Sequence, residues 1–102
     1  MTLLKQVKIN LGGGCELLFD NRSELVLEDS IPEGATLTGL VQYLKSNCLS
    51  ERPDLFVNST GMSVRPGILV LVDGCDAEIM GGMDYVLEEG DTVDFISTLH
   101  GG

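Results

Sequence analysis

The groups that could carry out chemistry in this sequence are three cysteines, one histidine and a C-terminal diglycine. Cys15, Cys48 and Cys75 lie far apart and form no CxxC, and the only histidine, His100, stands close to the C-terminus. A nucleophilic cysteine needs a base beside its thiol, and a zinc site needs cysteine or histidine ligands at short spacings. The sequence indicates neither, so we expect three reduced thiols, no catalytic residue and no metal site.

The diglycine, Gly101 and Gly102, ends the segment STLHGG and follows a stretch that alternates like a β-strand. Because glycine makes up about 7% of residues, two at a terminus arise by chance in about one chain in 200. Chain ends also fray without consequence. The diglycine alone therefore does not decide whether the C-terminal tail is functional or incidental. We assign residues 1–97 to one folded domain and residues 98–102 to a flexible tail.

Composition narrows the class of protein. The 102 residues are 43% hydrophobic and 22% charged, which is typical of one globular domain. The apolar run Ile68–Val72 is far shorter than the ~20 residues of a membrane helix, and MTLLKQVKIN has no signal-peptide pattern. We therefore expect a monomer in the cytoplasm, with the nucleus as a further location, and no membrane partner.

The net charge of −10 comes from 16 acidic and 6 basic residues. Phosphate contacts need lysine and arginine, so this charge argues against direct nucleic-acid binding. The acidity serves either solubility or attraction to a basic partner, and composition does not decide between them.

Hydrophobic periodicity predicts an α+β domain. VKINL and SELVLE alternate as two strands of a hairpin, and the Gly12–Gly14 run between them predicts a turn, since no GK[ST] follows to make a phosphate loop. A helix with Thr36 as its N-cap is predicted from apolar residues at i, i+3, i+4, i+7 and i+11, namely Leu37, Leu40, Val41, Leu44 and Cys48. ILVLV, a return strand AEIM after the Asp73-Gly74 turn, and TVDFIST follow.

One helix covers only one face of such a sheet. We expect Leu40, Val41 and Leu44 to pack on that face, against Val7, Ile9, Val93 and Phe95. ILVLV is apolar on both faces, so its other side should form an exposed patch beside Ile96. We predict Ile68 and Val70 as the outward residues of this partner patch.

The C-terminal half resembles a known family. The segments ERPDLF, RPGILVLV, DYVLEEGD and FISTLHGG, with LGGGCELLFD near the start, are similar to the ubiquitin-related modifier 1 family. Ala77 stands where that family tends to place a bulky aromatic residue. The resemblance implies a β-grasp (ubiquitin-like) fold, with a mixed sheet of about five strands and one main helix packed on one face.

The resemblance also implies that the chain is no enzyme but a sulfur carrier and protein modifier that binds no cofactor. The ionised carboxylate of Gly102 is a poor electrophile. An E1-like enzyme with a rhodanese domain would adenylate it with ATP and convert it to a thiocarboxylate. The sulfur would pass through a cytosolic tRNA thiolase to the wobble uridine of tRNA, or the activated end would acylate lysines of target proteins.

The residues implied to bind the activating enzyme are Gly101, His100, Leu99, Thr98 and Ile96. His100 would fill a recognition pocket, with assistance at the adenylate as the alternative. Two other functions stay open: a non-covalent ubiquitin-like binding module, and a sulfur carrier for molybdopterin or thiamine synthesis.

Overall fold

The first two strands form the predicted hairpin. The computed structural model describes residues 2–98. Strand β1 (Leu3–Gly12) pairs antiparallel with β2 (Glu24–Pro32), with Val7 opposite Leu27. The connection between them contains a 3-10 turn, Cys15–Phe19. From Val7 to Leu11, alternation therefore places one side chain in two on the core face, as the sequence pattern predicts.

Helix α1 spans Leu37–Asn47 and begins at the predicted cap. The Oγ1 atom of Thr36 accepts a hydrogen bond from the Gly39 N–H at 3.4 Å, which satisfies one of the amides that a helix N-terminus leaves unpaired. The predicted helix ran to Cys48, but Cys48 is the C-cap, so the helix ends one residue earlier than predicted. The Cys48 side chain is half-buried.

The other three strands are β3 (Ile68–Val72), β4 (Cys75–Asp76) and β5 (Thr92–Ser97). The strand order in the sheet is β2-β1-β5-β3-β4, with β5 parallel to β1 and antiparallel to β3. The predicted mixed sheet of five strands with one main helix is confirmed. Among residues 2–98, no helix is long and apolar enough to cross a membrane.

The prediction of a return strand at AEIM is wrong. The return strand is only Cys75–Asp76, and Ala77–Met80 form a 3-10 turn. The carboxylate of Asp76 accepts a hydrogen bond from the Glu78 N–H at 2.9 Å. This local cap favours a helical turn over further pairing with β3.

The core lies between α1 and one face of the sheet. The seven side chains predicted to meet there are fully buried in one hydrophobic cluster: Val7, Ile9, Leu40, Val41, Leu44, Val93 and Phe95. Phe56, from the long connection after α1, packs edge-on against Phe19 and Phe95, with ring centroids 5.0 and 5.5 Å apart. That connection therefore belongs to the core.

Ala77 lies beside an open cleft. Its side chain is buried, and the cleft of about 120 Å³ next to it is also lined by Val64, Ile68, Val70 and Met83. The departure from the family pattern noted at Ala77 thus falls where the sheet edge leaves space for a larger side chain.

Candidate functional site at the exit of the C-terminal segment

The candidate site lies at the end of β5. This strand is central, between β1 and β3, and it delivers the chain to Thr98, the last described residue. Four of the predicted site residues lie outside the described residues: Leu99, His100, Gly101 and Gly102. The described part of the site is therefore the outer face of the sheet and the segment from which residues 99–102 depart.

Gly67 holds Thr98. The backbone N–H of Thr98 and its Oγ1 hydroxyl both donate to the Gly67 carbonyl oxygen, at 2.7 and 2.6 Å. Gly67 has a φ of 98°, a conformation that favours glycine, and the Ile68 N–H bonds back to Arg65 to close the turn. Thr98 is exposed, and two hydrogen bonds anchor it to the turn before β3.

The glycine turn after β1 contacts the same segment from the other side. Gly13 has a φ of 65°, and a Cβ atom there would lie 2.2 Å from the Ser97 carbonyl oxygen. No ordinary contact is that short, so only glycine fits without a shift of the backbone. The side chain of Glu16 accepts a hydrogen bond from the Gly14 N–H at 2.6 Å and supports this turn.

Cys15 completes the contact. Its side chain is fully buried, and burial, followed by the charge of Glu16, raises the pKa of the thiol to about 11. A hydrogen bond from the Ser97 backbone to the sulfur acts in the opposite direction. The thiol is therefore protonated at neutral pH, a poor nucleophile that lies against the end of β5.

The other two cysteines are also free thiols. Burial raises the pKa of Cys48, and Cys75 is exposed on β4. Within residues 2–98, no three His, Cys, Asp or Glu side chains are grouped so as to hold a metal ion.

The outward residues of β3 differ from the prediction. Ile68 and Val70 were predicted to face outward, and this is wrong: Val70 is 8% exposed and pairs with Phe95, and Ile68 packs against the core. Five aliphatic residues in a row carry no alternation, so pairing with β5 sets which side faces the helix.

Three apolar side chains of β3 and β5 lie on the outer face, and they are here called the outer patch: Leu69, Leu71 and Ile96. Leu69 is 37% exposed and lies opposite Ile96, and Leu71 and Ile96 are half-buried. Polar side chains border the patch towards β1, where the Asn10 amide donates to Asp94 at 2.8 Å. Ile96 therefore faces outward as predicted, with different neighbours.

Comparison with known proteins places the chain in a family. The family model described as Urm1 (Ubiquitin related modifier) matches residues 6–102, which includes the whole candidate site. The chain belongs to the ubiquitin-related modifier family. Ubiquitin-related modifier 1 of Gallus gallus is 50% identical over 97 residues, covering 94% of each chain. The fold and the family predicted from the sequence are both confirmed.

Solved structures agree with this assignment to the ubiquitin-related modifier family. The solution structure of Urm1 from Trypanosoma brucei is 58% identical and has a TM-score of 0.85, covering 100% of both chains. The small archaeal modifier protein 1 from Methanosarcina acetivorans shares the fold at 18% identity, with a TM-score of 0.66 over 99% of this chain and all of that one. The family supports a carrier or modifier role for the chain.

Five residues of the site were not predicted from the sequence: Gly13, Cys15, Gly67, Leu69 and Leu71. The GGG run was predicted as a turn, and the RPG segment was noted only for its resemblance to the family. Their contacts with Ser97 and Thr98 join positions remote in sequence, and nothing in one sequence reveals such pairs. The signal that could have found Leu69 is the Val93/Phe95 alternation of β5, which fixes the faces of its neighbour.

Proposed function

We propose that the chain is a ubiquitin-like sulfur carrier whose Gly102 carboxyl is activated by an E1-like enzyme and converted to a thiocarboxylate. The observation that carries this proposal is the family match through residue 102, which includes the STLHGG segment. The chain uses its C-terminus as a reagent, and the chemistry takes place in the activating enzyme.

The chemistry follows from the carboxylate. With a pKa near ~3.5 it is ionised at neutral pH, and its carbon resists nucleophiles. Attack of a carboxylate oxygen of Gly102 on the α-phosphorus of ATP gives an acyl-adenylate and releases pyrophosphate. A persulfide of the enzyme's rhodanese domain then displaces AMP, and a second thiol cleaves the resulting S–S bond to leave the thiocarboxylate. The chain itself binds no ATP.

The last two glycines suit this reaction. Glycine lacks a Cβ atom, so Gly101 and Gly102 fit a narrow channel and bend beside a nucleotide. Residues Thr98 to His100 would lie extended in a groove of the enzyme, in the manner of an added strand. His100 would fill a recognition pocket there.

The outer patch is proposed to dock on the activating enzyme. Leu69 and Ile96 lie opposite each other close to the end of β5, so contact there brings the C-terminal segment near the enzyme. The net charge of −10 favours a basic partner surface around that contact. The same charge disfavours tRNA binding by the carrier, which fits delivery of sulfur to a separate tRNA thiolase.

In this proposal the sulfur is used in the cytoplasm to thiolate the wobble uridine of tRNA. The activated C-terminus is also proposed to acylate lysines of target proteins, because the same acyl group reacts with an amine as with a persulfide.

A deletion strain tests the use of the sulfur. Expression of the full chain should restore thiolated tRNA, and the chain lacking Gly102 should not. Ser46→Ala is the control, because Ser46 is exposed on α1, which packs on the opposite face of the sheet from the outer patch. Rescue of molybdenum cofactor instead of thiolated tRNA would replace this carrier role with another. Retained partner binding and retained tRNA thiolation without Gly102 would favour a non-covalent binding module.

A further inference from the structure

The last two described residues are held from both sides of β5. Ser97 meets the turn after β1, where its carbonyl oxygen packs on Gly13. Thr98 meets the turn before β3, where Gly67 accepts two hydrogen bonds from it. These are two separate turns, distant in sequence, that converge on the point of departure of residues 99–102.

The point of departure matters because the remaining segment is short. Four residues beyond Thr98 span at most about 14 Å. The position and direction of Thr98 therefore set the volume that the Gly102 carboxylate can reach. Releasing Thr98 would add one more residue that the activating enzyme must order, which weakens binding about five- to thirtyfold.

We propose that Gly13 and Gly67 form a collar that fixes Ser97 and Thr98 and so presets the direction in which the C-terminal segment enters the activating enzyme. This inference rests on the proposed function. Gly13 and Gly67 are positioning residues: they act through the backbone of Ser97 and Thr98.

Gly13→Ala tests the collar, and Gly14→Ala is the matched control. Both glycines have positive φ, 65° and 110°, so alanine strains the backbone at either position. Only at Gly13 does the new methyl group meet Ser97; at Gly14 nothing lies within 4 Å. A difference between the two variants therefore reports the contact with β5 and not the strain of the turn.

Adenylation kinetics give the functional readout. Pyrophosphate release by the activating enzyme, measured against concentration of the carrier, should show a KM raised about five- to thirtyfold for Gly13→Ala relative to Gly14→Ala. The value of kcat should stay within about twofold, because a segment once seated in the enzyme is unchanged. Thermal melting of both variants shows whether they are folded at the assay temperature.

A second pair of variants serves if Gly13→Ala fails to fold. Thr98→Val removes the hydroxyl that donates to Gly67 at nearly constant volume, and Thr98→Ser keeps it. The collar predicts faster exchange of the residue 98 amide in the free Thr98→Val variant together with a raised KM, and rescue of both by Thr98→Ser. Amide hydrogen exchange adds a readout that needs no enzyme: the Thr98 amide should exchange slowly in the unmodified protein and faster in Gly13→Ala.

The outcomes separate this inference from the proposed function. Equal KM values for Gly13→Ala and Gly14→Ala, with the unmodified chain adenylated normally, overturn the collar and leave the proposed function standing. A Thr98 amide that exchanges as fast as an unstructured one overturns the collar by itself. No pyrophosphate release with the unmodified chain overturns the proposed function.

Discussion

Asp91→Asn should leave the domain at least as stable as the unmodified chain at neutral pH, whereas Asp91→Ala should destabilise it strongly. Asp91 is buried just before β5, and its Oδ2 atom accepts two hydrogen bonds, from the Tyr85 hydroxyl at 2.8 Å and the Glu88 N–H at 2.9 Å. Burial, aided by the nearby Asp73, raises the pKa of the Asp91 carboxyl, although those two bonds oppose the shift. The ionised form is therefore disfavoured in the folded state.

The magnitudes follow from the two hydrogen bonds. Alanine leaves two donors without an acceptor, and each unpaired donor costs about 1–3 kcal/mol of stability. Because Tyr85 is partly exposed to water, which can replace one acceptor, we expect the free energy of unfolding to fall by about 2–4 kcal/mol and the melting temperature by about 10–25 °C. Asparagine can place its one oxygen where Oδ2 accepts both bonds and turn its NH₂ group towards Asp73. It keeps the bonds without a buried charge.

Chemical denaturation at several pH values measures this. Because the folded pKa of Asp91 is raised, its protonation favours the folded state as the pH falls through that pKa. The advantage of Asp91→Asn over the unmodified chain should therefore be greatest at neutral pH and shrink under acid conditions. An asparagine variant that loses as much stability at pH 7 as the alanine variant would refute the reasoning.

Three further predictions concern the core, the outer patch and the buried thiol. Leu44→Asp should lower the free energy of unfolding by several kcal/mol, because it buries an unpaired charge. Ser46→Asp, on the exposed side of α1, should lower it little, and thermal melts followed by circular dichroism compare the two variants. Ile96→Asp should weaken binding to the activating enzyme in a titration and leave the melting temperature unchanged. Val26 is exposed on the same face of the sheet at β2, and Val26→Asp should not weaken binding. Equal affinities of the two variants would count against the outer patch. The pKa of the Cys15 thiol is about 11 in the folded state and 9.0 in the unfolded state, so its contribution to stability is full below pH 9 and is lost as the pH rises towards 11. Between pH 7.5 and pH 10.5, the free energy of unfolding should therefore fall less in Cys15→Ala than in the unmodified chain, which chemical denaturation measures.

The fold was predictable where local signals are strong. The Thr36 cap and the apolar spacing after it predicted α1 to within one residue, because capping and amphipathicity are properties of one segment. Alternation predicted the core side of β1 and β5 for the same reason. ILVLV carries no alternation, so the sides of Ile68 and Val70 depend on pairing with β5, which one segment does not encode.

The candidate site was predictable only in part. The diglycine by itself fits an ordinary chain end, and the chemistry of Gly102 was inferred from the resemblance of longer segments such as RPGILVLV and FISTLHGG. The packing of Gly13 against Ser97 joins residues 84 positions apart, so it needs the folded chain to be seen. The chemistry is thus carried by the tail sequence, and its positioning by tertiary contacts.

The central claim is that the carboxyl group of Gly102 is the reactive group. With ATP, a sulfur donor and the activating enzyme, the intact chain should gain the mass of one oxygen exchanged for sulfur. Changing Cys15, Cys48 and Cys75 together to Ser should leave this conversion intact, because the sulfur is acquired at the terminus.

Removing Gly102 tests that claim most directly. The measurement is the intact mass of the truncated chain after the same reaction, with its melting temperature as the check on folding. The truncated carboxylate would lie one residue short of the nucleotide, so we expect an unchanged fold and almost no thiocarboxylate. Conversion of the truncated chain as fast as the full-length chain would contradict the account, because the terminal glycine would then be incidental.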